Sequence, residues 1–163
     1  ALADQLTEQF RGIFKAKFEA VSSSAEAVTD ADIITTITVS KNPVFDGKLV
    51  KKGAHINGVG SYTPELSEID EYIITHADKV YMDTPDALEE SGDFIKPIQK
   101  GIFSADRITG ELGAVINGEI IGRESDEEIT FFETTGSAVL DIVPAQRIYE
   151  KAIALGVGHM IEL

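Results

Sequence analysis

Residues 32–40 read DIITTITVS, an almost unbroken run of isoleucine, threonine and valine. A strand with one wet face alternates apolar and polar side chains, whereas one covered on both faces carries a continuous β-branched run. The run therefore predicts a strand buried on both faces of a parallel sheet. Parallel strands cannot be joined by hairpins, so each connection has to cross over, usually through a helix. The rest of the chain fits that demand. GAHINGVGS (53–61), KVYMD (79–83) and EITFFETTG (128–136) are further strand segments, and AKFEAVSS (16–23) alternates Phe18 and Ala20 with Lys17 and Glu19 as a half-buried strand does.

Helical patterns fill the gaps. Ala1, Leu2, Leu6, Phe10 and Phe14 fall near helical spacing, and SAEAVTDA (24–31) reads as a short helix. Thr63 and Pro64 are a suitable N-cap and first helical residue, ahead of an apolar face formed by Leu66, Ile69, Ile73, Ile74 and Ala77. Thr84-Pro85 opens another short helix that Gly92 is placed to end. Residues 104–128 read as helix turns and loops over one face, with the acidic run Glu124–Glu128 as a solvated helix N-terminus. A last helix runs from Ser137 to Leu155, kinked or begun at Pro144, before a closing strand or tail, GHMIEL. Strands alternating with helices give an α/β fold with a mostly parallel sheet.

Composition narrows the function. The 163 residues suit one domain, and 43% hydrophobic with 26% charged residues is ordinary for a globular protein. Twenty-eight acidic residues against 14 basic ones give a net charge of -14, which repels nucleic-acid phosphates. With no cysteine there is no disulfide, thiolate metal site or cysteine nucleophile. His55, His76 and His159 have no ligand-like neighbours at short spacing, so no metal is expected. No apolar run approaches the roughly 20 residues of a membrane span. The opening ALADQLTEQFRG resembles no signal or transit peptide, so a soluble cytoplasmic protein is expected.

Ligands of doubly wound sheets sit at the C-terminal ends of the strands. Three such ends carry suitable groups. Thr36, Thr38 and Ser40 offer hydroxyls for a ribose or a phosphate, although threonine also simply favours strands. Asn57-Gly58-Val59-Gly60-Ser61 lets backbone approach a flat ligand, or is a plain strand-to-helix turn. It is not the dinucleotide fingerprint, since Thr63 stands where the third glycine belongs. Thr134-Thr135-Gly136 forms the third end, with Asp141 either orienting a ring or a water, or capping the helix.

Together, DADIITTITVSKNPVF, GAHINGVGSYTPELSEID and GELGAVINGEIIGRESDEEITFFETTGSAVLD resemble, in order, the segments of the ornithine cyclodeaminase and mu-crystallin family. The resemblance implies a Rossmann-like NAD(P)-binding domain over residues 1–136, apparently lacking its first two strands and the glycine-rich fingerprint. Residues 137–163 would return to a substrate and dimerisation domain. It also implies an NAD(P)-dependent oxidoreductase acting on an amino acid or cyclic imine, assembled as a homodimer or larger oligomer. The cofactor, NAD or NADP, would be held by Thr36, Thr38, Asn57, Val59, Gly60, Ser61 and Thr134, with Thr135 and Asp141 on the substrate side. Tyr62 stands where the cyclodeaminases of the family carry a catalytic aspartate. A phenol does not supply that carboxylate, which leaves ornithine cyclodeamination, a non-catalytic ligand-binding protein or an inert fragment as alternatives.

Overall fold

A computed structural model describes residues 2–159 and 161. Five strands form one sheet: β1 (Ile33–Thr36), β2 (His55–Gly58), β3 (Lys79–Met82), β4 (Gly110–Glu111) and β5 (Thr130–Glu133). Every neighbouring pair is parallel, in the order β1-β2-β5-β3-β4. All strands thus end on the same edge, where Thr36, Gly58, Glu133, Met82 and Glu111 stand in one row across the sheet. The ladder runs one step past the strands, with Val59 N donating to Thr36 O, Thr134 N to Gly58 O and Asp83 N to Glu133 O.

One face of the sheet carries the core. Side chains alternate along a strand, so Ile34, Ile56, Phe131, Val80 and Met82 point to a single side. There they meet Val28 of α2 (Ser24–Val28), Ile73 and Ile74 of α3 (Glu71–His76), Ala87 of α4 (Ala87–Glu90) and Phe94 of α5 (Gly92–Gln99). The Phe94 ring sits 5.9 Å from both Phe103 and Phe131, stacked on the first and edge-on to the second. The opposite face carries Ile33, Thr35, His55, Asn57 and Phe132. Its β3 end is covered by the chain after β4, under which Tyr81 and Thr130 are buried, while its β1 end is open, with Ile33 and Ile37 69% and 72% exposed. The short helix α6 (Leu112–Ile116) and the terminal helices α1 (Leu2–Phe10) and α7 (Ala138–Leu155) bury no residue.

Several expectations need correction. β1 is buried on one face only, with Ile33 and Thr35 exposed on the other, and it is an edge strand, because no strand pairs with its outer side among the described residues. For the same reason residues 16–23 form no strand: an extended segment without a ladder partner leaves its backbone groups to water. The helix after β2 starts at Glu71, not Pro64; Asp70 caps it, accepting from Tyr72 N at 2.6 Å. The apolar residues from Leu66 to Ala77 are nonetheless all buried. Gly92 ends nothing. It opens α5, where a Cβ would run into the carbonyls of Pro64 and Leu66, and Ser91 is the cap. The acidic run 124–128 is a loop, in which Glu124 pairs with Lys79 at 2.5 Å. α7 passes through Pro144 and ends at Gly156 in the left-handed conformation that glycine tolerates. Residues 158 and 159 are not in a strand; Met160, Glu162 and Leu163 of the closing segment lie outside the described residues.

Candidate functional site

The common edge of the strands gathers most of the sequence-predicted residues. Thr38 follows β1 and is exposed; Val59, Gly60 and Ser61 follow β2; Thr134, Thr135 and Gly136 follow β5. Their loops are tied together from below. Glu68, fully buried, accepts from Thr38 N with Oε1 and from Gly60 N with Oε2 at 2.7 Å. Gly60 lies so close to Thr38 O and the Glu68 carboxylate that a Cβ there would collide with both. Here the glycine is needed for room.

A second carboxylate organises the Glu68 segment. Asp93 Oδ1 accepts from Ser67 Oγ at 2.8 Å, Glu68 N at 2.9 Å and Ile69 N at 3.0 Å, while Oδ2 has no partner. Burial pushes the Asp93 carboxyl up to about 6 against these donors, with the Glu68 charge adding to the rise. Glu133, at the end of the central strand β5, is also fully buried. Burial first, and the Asp93 charge second, push it well above the usual carboxylate range. Its Oε1 lies 2.6 Å from Ser91 Oγ, which is 3.0 Å from Ser61 Oγ, and Ser61 donates to the Leu66 carbonyl at 3.0 Å. Ser91 is the donor toward Glu133 Oε1, and Glu133 Oε2 is buried without a partner.

On the β5 side, Asp83 performs the corresponding service. Its Oδ2 accepts from Thr134 Oγ1 at 2.5 Å and from Gly136 N at 3.0 Å, closing the Thr134–Gly136 turn onto the end of β3. Thr135 Oγ1 is buried without a partner.

Not every expected residue joins this edge. Thr36 is buried on the core face, with its hydroxyl 3.4 Å from Asn57 O. The Asn57 side chain lies on the open face, where Nδ2 donates to Thr35 Oγ1 at 3.3 Å and Oδ1 faces His55 Nε2 at 3.0 Å. His55 Nδ1 then accepts from Thr130, 2.7 Å away, and Thr130 accepts from Arg123 at 2.8 Å. Burial lowers the His55 pKa, so the ring is the neutral tautomer that this string requires. Tyr62 is 52% exposed at the rim. Asp141 sits in the exposed first turn of α7; Ser137, not Asp141, is at the cap position, and no side chain makes a capping hydrogen bond there. Among the described residues no three His, Asp or Glu side chains gather as a metal site, and no helix is long and apolar enough to cross a membrane.

The amides of Thr38, Val59, Gly60, Thr134 and Gly136 are all bonded within the chain, which leaves close-packed backbone, the exposed Thr38 and the unpartnered Thr135 hydroxyl at this edge. Such a surface lets a flat group approach the backbone closely. Glu68, Asp83, Asp93 and Glu133 are absent from the sequence expectation. Glu133 was visible in principle: in Phe131-Phe132-Glu133 it shares a face with Phe131, which commits a carboxylate to the core.

The profile of the ornithine cyclodeaminase/mu-crystallin family matches residues 2–155. A delta(1)-pyrroline-2-carboxylate reductase of Bacillus cereus is 49% identical over 142 residues, which are 86% of this chain and 43% of that protein. The Thermococcus litoralis delta(1)-pyrroline-2-carboxylate reductase, solved with NADH and L-proline, superposes with a TM-score of 0.91 at 32% identity, over 97% of this chain and 49% of that one. An archaeal alanine dehydrogenase dimer with bound NAD superposes with a TM-score of 0.86 at 31% identity, over 98% of this chain and 49% of its own. The chain spans less than half the length of these relatives.

Proposed function

The chain belongs to the ornithine cyclodeaminase/mu-crystallin family, and on that premise we propose that it supplies part of the cofactor side of an NAD(P)-dependent oxidoreductase acting on a cyclic imine or an amino acid. The observation that carries the reading is the all-parallel sheet edge, in a chain that superposes so closely on a reductase solved with NADH and L-proline.

A bound nicotinamide supplies the hydride, and the protein supplies orientation and electrostatics. Gly60 and Val59 would present flat backbone to the ring, Thr38 and Thr134 would position it and its ribose, Ser61, fully buried with its hydroxyl on the Leu66 carbonyl, would support the loop from beneath, and Thr135 would face the substrate. The unpartnered Thr135 hydroxyl supports this, being a buried group that wants a donor or acceptor. Thr36 and Asn57 act at one remove, through the backbone and the open-face string. Asp141 would reach the substrate only from α7, whose exposed apolar residues support a role for 137–163 in a second, dimerising unit. Homodimeric assembly and a cytoplasmic setting belong to the same reading. Cyclodeaminase chemistry loses support at Tyr62, an exposed phenol that offers no carboxylate.

The test is a titration of the chain with NADH and NADPH, followed by cofactor fluorescence, which no tryptophan obscures. Saturable enhancement is expected. No saturable change up to millimolar concentrations of either cofactor overturns the reading for this chain.

A further inference from the structure

We propose that Glu68 is the positioning residue of the cofactor edge: a single buried carboxylate that sets the gap between the loop after β1 and the loop after β2. The inference rests on the reading of that edge as the cofactor side. Past the last ladder bond, from Val59 N to Thr36 O, the next backbone bonds between the two stretches lie further along, from Ser67 N to Ser40 O and from Val44 N to Glu68 O, and none joins Thr38 to Gly60 directly. Thr38 N and Gly60 N instead turn toward the same point, and the two oxygens of Glu68 occupy it. The two acceptor oxygens of one side chain thus tie Thr38 to Gly60 at the mouth of the two loops.

The rest of the surroundings hold Glu68 still. Its own N–H donates to Asp93, its carbonyl accepts from Val44 N at 2.9 Å, and the preceding residue, Ser67, donates its N–H to Ser40 O at 2.8 Å. The carboxylate is therefore anchored at its backbone to α5 and to the segment after β1, and offers its oxygens upward to the loops. A buried carboxylate with no lysine or arginine hydrogen-bonded to it, near Asp93 and Glu133, is costly for packing alone. A glutamine would meet the geometric need for only one of the two N–H groups, since its amide nitrogen is a donor. The choice of glutamate follows from needing two acceptors at one point.

The experiment uses the 163-residue chain and its Glu68→Gln variant, with two readouts. Backbone NMR follows the amide protons of Thr38 and Gly60, and NADH fluorescence gives the dissociation constant. At least one of the two amide protons should move upfield in the variant, while the Ile69 amide, held by Asp93, keeps its position. NADH affinity should fall about tenfold or more. A merely structural role would instead shift amides across the core or leave NADH affinity unchanged. Unmoved Thr38 and Gly60 amides, or moved amides with unchanged NADH affinity, overturn the inference. If Glu68→Gln does not fold, Gly60→Ala attacks the same gap from the other side, since its Cβ has no room. A folded Gly60→Ala chain should lose NADH affinity to a similar degree, and one that binds as tightly as the unmodified chain overturns the inference. If the unmodified chain itself gives no saturable signal, the cofactor reading fails and this inference with it; the failure is recognised because it precedes any substitution.

Discussion

The two faces of the sheet solve different problems with similar residues. On the closed face, Ile34, Ile56, Val80 and Phe131 are covered by the chain's own helices, and even the carboxyl groups of Glu68, Asp93 and Glu133 are enclosed. On the open face, Ile33 and Phe132 sit beside a polar string from Thr35 through Asn57, His55 and Thr130 to Arg123. Parallel sheets are normally covered on both sides. The difference teaches where this piece of structure carries its own stability and where it presents a surface that calls for a cover.

Phenylalanines 131 and 132 put the comparison to its strongest test, being adjacent in β5 and pointing to opposite faces. Phe131→Ala opens a cavity against Phe94 and should cost about 3–5 kcal/mol in urea unfolding. Phe132→Ala removes a partly buried ring and should cost less, roughly 1–2 kcal/mol. Equal losses would mean that the open face is covered in solution.

The closed face should also reveal itself through pH. Asp93 titrates at about 6 when folded against an ordinary value of 3.8, so the folded state binds more protons in that window. Stability contributed by this group is full below about pH 4, declines as pH rises and is lost above about 6. The span is on the order of 3 kcal/mol for a shift of this size. Asp93→Asn keeps the Oδ1 acceptor for Ser67, Glu68 and Ile69 and removes the charge, so the difference between variant and unmodified chain should grow in the variant's favour from pH 4 to 6. A difference that stays flat across that interval would show Asp93 to be ionised throughout.

The closed face was the legible one in the sequence. The Leu66–Ala77 apolar set and the β2, β3 and β5 segments stand where residue patterns put them, because periodicity reports the side turned to a core. What patterns did not reveal was which partner each element has. DIITTITVS reads as a central strand and AKFEAVSS as a strand, yet each needs a neighbour on a side where the described residues have none. The edge loops were legible as glycines and hydroxyls, whereas the carboxylates beneath them were not. Glu68 sits in a segment whose Thr63-Pro64 start imitates a helix, and Ser91-Gly92-Asp93 imitates a helix end. Local signals gave the right residue types a wrong punctuation, and only the tertiary contact with Thr38 and Gly60 corrects it.

The smallest expected effect lies on α7. Its Ile142, Ile148, Tyr149 and Ile153 are all exposed, and no residue of its 18 is buried. If the comparison holds, Ile148→Asp changes the unfolding free energy of the chain by less than about 0.5 kcal/mol, as surface substitutions do. Sedimentation of the same variant separates what stability cannot. Exposed apolar residues on a long helix favour association, so the unmodified chain should sediment above the mass of one chain and the variant closer to it. A loss of about 1 kcal/mol or more with unchanged sedimentation would instead dock α7 onto the chain's own open face, and the two faces would then differ in the order of their assembly and no longer in their cover.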